Sequence, residues 1–117
     1  MKISMMKELL DAEVLCGEEN LGKHVYSACG SDMMSDVLAF AKDQAVMVSG
    51  LVNPQVVRTA VMMDMVCIVL VRGKKATEQM LELAVDSDLV ILSTPKTMFE
   101  TCGLLYENGL RGGHKVE

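Results

Sequence analysis

The sequence predicts an α/β domain, and three observations carry the prediction. Short apolar runs at Ala45–Val48, Cys67–Val71 and Leu89–Leu92 have the size and β-branched composition of strands, the middle one that of a central strand covered on both faces. Each run leads through a polar turn into a segment whose apolar residues recur at helical spacing. This alternation from Ala45 onward implies right-handed crossovers and a largely parallel sheet. The two N-terminal strands are expected at an edge or mixed in direction.

Along the chain, Ser4 can cap a first helix with Met5, Met6, Leu9 and Leu10 at helical spacing, ending near Asp11. Ala12–Cys16 follows as a short strand, and the polar stretch GEENLG (17–22) forms a loop into a second extended segment, His24–Gly30. Ser31 or Asp32 can cap a helix from Met33 to Ala41, with Asp36 at its positive start and Met34, Val37, Leu38 and Ala41 facing inward. After the strand at 45–48, Ser49-Gly50 turns the chain, Asn53 caps and Pro54 takes the first helical position, with Val57, Val61 and Met65 continuing the helix. Arg72-Gly73-Lys74-Lys75 is a basic turn before an amphipathic helix carrying Met80, Leu81, Ala84 and Val85. Thr97 and Glu100 satisfy the capping-box pattern of a last helix, whose inward face is Cys102, Leu105 and Tyr106 and whose end is Asn108-Gly109. Residues 1–110 are therefore expected to form the domain. The tail 111–117, RGGHKVE, has too little apolar surface to offset the entropy of ordering and is expected to be mobile.

Composition excludes several functions. The 117 residues suffice for one domain with its own core, without metal or disulfides. A net charge of −5, 3% aromatic residues and no Trp argue against a nucleic-acid binder, a membrane-surface binder or a base-stacking platform. Lys7, Glu8 and Asp11 interrupt any signal peptide, and the longest apolar run, Met65–Val71, is strand-sized rather than the roughly 20 residues a bilayer requires. The four cysteines, Cys16, Cys29, Cys67 and Cys102, form no compact pair, so a reducing cytoplasm is the expected location. The 11 methionines read as adaptable core filling.

Chemical motifs give little. VRGKKAT would need another Gly at Ile68 and a hydroxyl at Lys75 to be a phosphate loop, and no GxGxxG follows any strand. His24 and His114 cannot be paired, Glu18-Glu19, Asp86 and Asp88 fall in ordinary solvated positions, and the scattered thiols read as small buried hydrophobes. Asp32 and Asp36 sit one helical turn apart, a spacing best explained by a helix start. No catalytic residue, metal site or cofactor is assigned. Ligands of parallel sheets gather beyond the strand carboxyl ends, which selects the turns 49–53, 72–75 and 93–97 and the neighbouring helix start. The candidate ligand residues are Ser31, Asp32, Gly50, Asn53, Gly73, Lys74, Ser93 and Thr94, with Lys96 supplying charge. Leu51 and Val52, apolar residues in a turn, are candidate contacts with a partner.

The GEENL loop before a strand, the SDMMSD helix start, the strand-Gly-helix-strand-Gly succession and the STPKTMFE turn together resemble the DRTGG domain family over nearly the whole chain. That family is similar to the N-terminal domain of HPr serine kinase/phosphorylase and also occurs beside CBS domains in regulated pyrophosphatases. The resemblance implies a single three-layer α/β/α domain with a mostly parallel or mixed central sheet, assisting regulation or assembly. It implies no kinase chemistry, which in the HPr enzyme belongs to a separate phosphate-loop domain. Where the family has Asp-Arg after its first motif glycine this chain has Leu51-Val52, and Val71-Arg72-Gly73 stands for Thr-Gly-Gly, so Gly50 and Gly73 carry over. The expected function is a non-enzymatic regulatory or interaction domain, homodimeric, with a metabolic enzyme or CBS-type module as possible partner. The alternative is a sensor of an anionic small molecule, a nucleotide or phosphorylated metabolite.

Overall fold

A computed structural model describes residues 1–41 and 44–112. Helix α1 spans Ile3–Leu9, β1 Glu13–Cys16, β2 Ser27–Gly30, α2 Met34–Phe40 and β3 Ala45–Ser49. The chain continues with α3 Pro54–Met62, β4 Cys67–Leu70, α4 Glu78–Asp86, β5 Val90–Ser93 and α5 Met98–Glu107. One five-stranded sheet has the order β1-β5-β4-β3-β2. Strands β2 to β5 are parallel, and β1 closes the far edge antiparallel to β5, with a bulge between Val14 and Cys16.

The sheet is mixed because β1 alone runs antiparallel, and β1 and β2 lie at its opposite edges. From β2 each crossover steps one strand in the same direction, so right-handed connections place α2, α3 and α4 on one face. There Met47, Ile68, Leu70 and Ile91 meet Val56, Ala60, Met80 and Ala84. The alternate strand residues Val46, Val48, Val69 and Leu92 face α1 and α5, represented by Ile3, Met6, Leu10 and Leu105. The two-residue period of the strands thus serves two helical layers, giving the expected three-layer α/β/α architecture.

Several local expectations need correction. Ser4 does not cap α1: Lys2 stands at the N-cap, and the first amides are used by the chain that passes beneath, Ile3 N to Lys23 O and Ser4 N to Leu21 O, both 2.9 Å. In the second extended segment only Ser27–Gly30 joins the sheet, while His24 pairs with Lys2 in an isolated bridge. Neither Ser31 nor Asp32 caps α2; Met33 is its N-cap, with no side-chain capping bond. Met65 lies beyond α3 and is nevertheless buried. Leu38, Val85 and Tyr106, expected to face inward, are exposed, and Thr101 takes the buried position on α5 beside Leu105. Periodicity locates a stripe but not its edges, and these three sit where a stripe turns toward solvent. The methionines divide accordingly: Met6, Met47 and Met80 fill the core, whereas Met5, Met33 and Met62 are exposed.

Other local signals hold. Asn53 accepts from Gln55 N at 2.8 Å with Pro54 behind it, the Thr97–Glu100 capping box is complete, and Asn108 ends α5. The carbonyl of Arg111 accepts from Ala28 N at 2.9 Å, and its guanidinium lies 3.8 Å from the centre of the Tyr106 ring. Residues 113–117 of the expected mobile tail, His114 among them, lie outside the described residues.

Candidate functional site

Because β2 to β5 run parallel, the turns that follow them share one edge of the sheet, and the antiparallel β1 adds its start there, Glu13 opposite Ser93. Side chains link these turns. Asp32, just after β2, accepts through Oδ1 from Ser49 Oγ at 3.0 Å and from the Gly50 amide at 2.7 Å. Ser49 Oγ also accepts from Leu51 N at 3.1 Å, fixing the bend after β3. Lys74, after β4, donates its ammonium to Gly50 O at 2.9 Å. Ser93 Oγ donates to Lys74 O at 2.6 Å, and Thr94 Oγ1 donates to Leu10 O at 2.7 Å, tying β5 to the end of α1. Arg72 N to Lys96 O at 2.8 Å and Gly73 N to Thr94 O at 2.7 Å join the turns after β4 and β5.

Of the eight candidate ligand residues, Asp32, Gly50, Gly73, Lys74, Ser93 and Thr94 therefore belong to one connected network. Ser31 and Asn53 do not: Ser31 Oγ accepts from Met33 N at 2.9 Å in a local turn, and Asn53 serves its own helix cap. Within the network, Ser93 and Thr94 spend their hydroxyl donors on backbone, and Thr94 is fully buried. Asp32 and Asp36 are not a pair on one helix face, since Asp32 precedes the helix and reaches across to Ser49 and Gly50. Leu51 and Val52 are half-buried, packed against the core beneath α2, α3 and α4.

Two residues outside the candidate list join this edge. Ser49 supplies the hydroxyl that links Asp32 to Leu51. Arg72 adopts the left-handed conformation (φ +56°), and a Cβ on Gly50 would lie 3.0 Å from its Nη2 and 3.6 Å from Asp32 Oδ1. Glycine at position 50 is what leaves that space open. The sequence marked Arg72 only as part of a basic turn; its backbone conformation and its approach to the neighbouring turn depend on how β3 and β4 are aligned.

In the turn after β4 the amides of Arg72, Gly73 and Lys74 donate to carbonyls, so these three form no cradle of free backbone donors for a phosphate. Burial raises the pKa of all four thiols, most strongly at the fully buried Cys67. At Cys16 the backbone hydrogen bond with Ile91 opposes that rise and Glu19 adds to it, while Asp36 and Cys102 add to it at Cys29. Thiols held protonated at neutral pH are poor nucleophiles and poor metal ligands. Among the described residues no group of three or more His, Cys, Asp and Glu is placed to hold a metal ion.

No curated protein matches the sequence. The fold is similar to a crystal structure of the CBS and DRTGG domains of the regulatory region of Clostridium perfringens pyrophosphatase, complexed with the activator diadenosine tetraphosphate. The TM-score is 0.72 at 16% sequence identity, over 89% of this chain and 45% of that one, so this chain spans about half of that regulatory region. The model of the DRTGG domain matches residues 6–107. With most of its length matched, the chain belongs to the DRTGG domain family.

Proposed function

We propose that this regulatory domain is non-catalytic and acts by pairing with a second copy of itself. The outer surface of α3 and α4 carries the reading. Val61 and Met62 on α3 are 43% and 67% exposed, and Val85 on α4 is 61% exposed. Between the helices lies a groove of about 300 Å³ lined by Val57, Val61, Met62 and Leu83, with Arg58 and Ser87 at its rim. A two-fold interface must complement itself. Here Arg58 on α3 and the exposed acids Glu82 and Asp86 on α4 supply opposite charges on adjoining helices, so α3 of one copy set against α4 of another pairs them while covering the groove. The protonated thiols and the hydroxyls committed to backbone support a non-catalytic role. A metabolic enzyme or CBS-type module is the further partner this reading takes, with the cytoplasm as location; among the described residues no helix is long and apolar enough to cross a membrane.

Light scattering across a concentration series tests the pairing. A dimer is expected, Met62→Glu should give a folded monomer, and Arg58→Glu should weaken association until Glu82→Lys restores it. A wild-type chain that stays monomeric at high concentration overturns the reading.

A second reading, a sensor of an anionic small molecule at the strand carboxyl edge, is favoured by the approach of Arg72 and Lys74 to Gly50. The similar regulatory region crystallised with an anionic nucleotide gives it further support. Thermal unfolding against nucleotides, phosphorylated metabolites and simple anions tests it. Ligand at about a hundred times its dissociation constant adds roughly 2.7 kcal/mol, a shift of several degrees in a domain of this size. A saturable rise makes the domain a sensor, and no rise across the panel removes the reading.

A further inference from the structure

The geometry points to Arg72, Lys74 and Lys96 as a rim that binds a linear polyphosphate group, an inference that rests on the sensor reading of the carboxyl edge. The backbone bonds between the turns after β4 and β5 fix the origins of all three side chains, because Arg72 pairs directly with Lys96 and Gly73 with Thr94. Two of the cations then converge on one residue: the Lys74 ammonium is 2.9 Å from Gly50 O, and Arg72 Nη2 is 3.0 Å from where a Gly50 Cβ would stand. The nearby carboxylate, Asp32, already accepts from Ser49 Oγ and Gly50 N. Among the described residues the ion pairs are Lys7–Glu8 and Lys75–Glu13, so Arg72, Lys74 and Lys96 remain outside them. Three cations face the single Asp32 carboxylate, so the cluster keeps a surplus of positive charge that an anion would offset.

Arg72 is also an expensive residue at its position. Its φ of +56° is a conformation glycine adopts freely and L-residues adopt at a cost of about 1 kcal/mol or more. The next residue, Gly73, has φ +68°, so a turn that already uses one glycine keeps an arginine where a second would relax it.

The character of the ligand follows from what the turns leave available. The amides of Arg72, Gly73, Lys74 and Lys96 are already bonded within the protein, which argues against an enclosed single-phosphate nest and leaves side chains spread over two turns as the main donors. A planar guanidinium fork with two ammonium groups suits several phosphates joined in a row better than a compact monoanion. Inorganic polyphosphate and the phosphate tail of a nucleotide share this chemistry.

Inorganic triphosphate and ATP serve as separate probes, with binding read by calorimetry and by the rise in Tm on the full chain. Triphosphate is expected to bind saturably, to weaken as salt is raised, and to exceed inorganic phosphate. Equal affinity for ATP would make the phosphate chain the whole recognised group, and tighter binding of ATP would identify a nucleotide as the source. Arg72→Gly should reduce triphosphate affinity about tenfold, the scale of one charge-assisted contact, without lowering Tm in the absence of ligand. Lys96→Glu should reduce it as well, whereas Lys23→Glu, the same charge change at the opposite edge, should not. If anions raise Tm but Arg72→Gly and Lys96→Glu bind like wild type, the sensor reading stands and this rim is overturned. If no anion in the panel binds, both fall.

Discussion

The two ends of the sheet solve different problems with the same kind of turn. At the carboxyl edge, side chains cross between elements: Asp32 to β3, Lys74 to Gly50, Ser93 to Lys74 and Thr94 to the end of α1. At the amino edge the helices stop on left-handed residues, Asp64 after α3 and Asp88 after α4, with φ of +54° and +56°. Their amides bond locally, Asp64 N to Val61 O and Asp88 N to Val85 O, both 3.2 Å, while their carbonyls accept from more distant residues, Asp64 O from Gln44 N at 3.0 Å and Asp88 O from Asn20 Nδ2 at 3.3 Å. Distant segments are tied at both edges, at the carboxyl edge chiefly by carboxylate, ammonium and hydroxyl side chains and at the amino edge chiefly by backbone, as in Ile3 N to Lys23 O and Gln44 N to Asp64 O. Positive-φ residues occur at both, so the conformation alone does not mark function.

The largest expected effect breaks the amino edge at a point of close approach. Gly17, where β1 leaves the sheet, has φ +83°, and a Cβ there would lie 2.9 Å from Val90 Cα and 3.0 Å from Leu89 O. Backbone cannot step aside as a side-chain tip can. Gly17→Ala should destabilise the domain by about 2–4 kcal/mol, combining conformational strain with overpacking. Urea unfolding measures it, and a loss below about 1 kcal/mol would mean that β1 repacks along β5 with little penalty.

At the carboxyl edge the matching test removes one cross-element bond while keeping shape. Thr94→Val leaves Leu10 O without its buried donor, and should cost about 1–3 kcal/mol in the same unfolding measurement. The local turn at Ser31, replaced by alanine, should cost less, because the Ser31 hydroxyl bonds only to its neighbour Met33 and the backbone bond from Ser31 N to Val48 O survives the substitution. Equal losses at the two sites would show that ties between elements matter no more than local turns at this edge.

The difference between local and non-local bonds also explains what could be read from the sequence. Asn53-Pro54, the Thr97–Glu100 box and the apolar strands at β3, β4 and β5 are signals held within a few residues, and they placed the elements and the class. The SDMMSD segment shows the limit. Its spacing is that of a helix cap, but Asp32 finds better donors in Ser49 and Gly50, which only the pairing of β2 with β3 brings near. Ser4 shows the same limit: the helix starts before it, at Ile3, because residues 21–23 accept from the amides of Ile3 and Ser4. Six of the eight candidate ligand residues share the edge network because parallel topology gathers turns at one end, a consequence legible from element order. The approach of Arg72 to Gly50 was not legible, since it depends on a backbone torsion and on sheet register.

The smallest expected effect separates the two edges most sharply. Asp64→Gly relieves a left-handed L-residue and removes a negative charge from the negative end of α3, gains partly offset by the greater freedom of glycine in the unfolded chain. The net should be a gain of about 0.5 kcal/mol in unfolding free energy. Since the Asp64 side chain takes no part in the carboxyl-edge network, triphosphate binding should be unchanged. Arg72→Gly makes the corresponding backbone change at the other edge, should likewise keep or raise stability, and should weaken triphosphate binding about tenfold. If both variants bind triphosphate as wild type does, Arg72 is a turn residue with no part in binding and the functional distinction between the edges fails. If Arg72→Gly alone weakens binding, the left-handed arginine is held at the carboxyl edge for its charge.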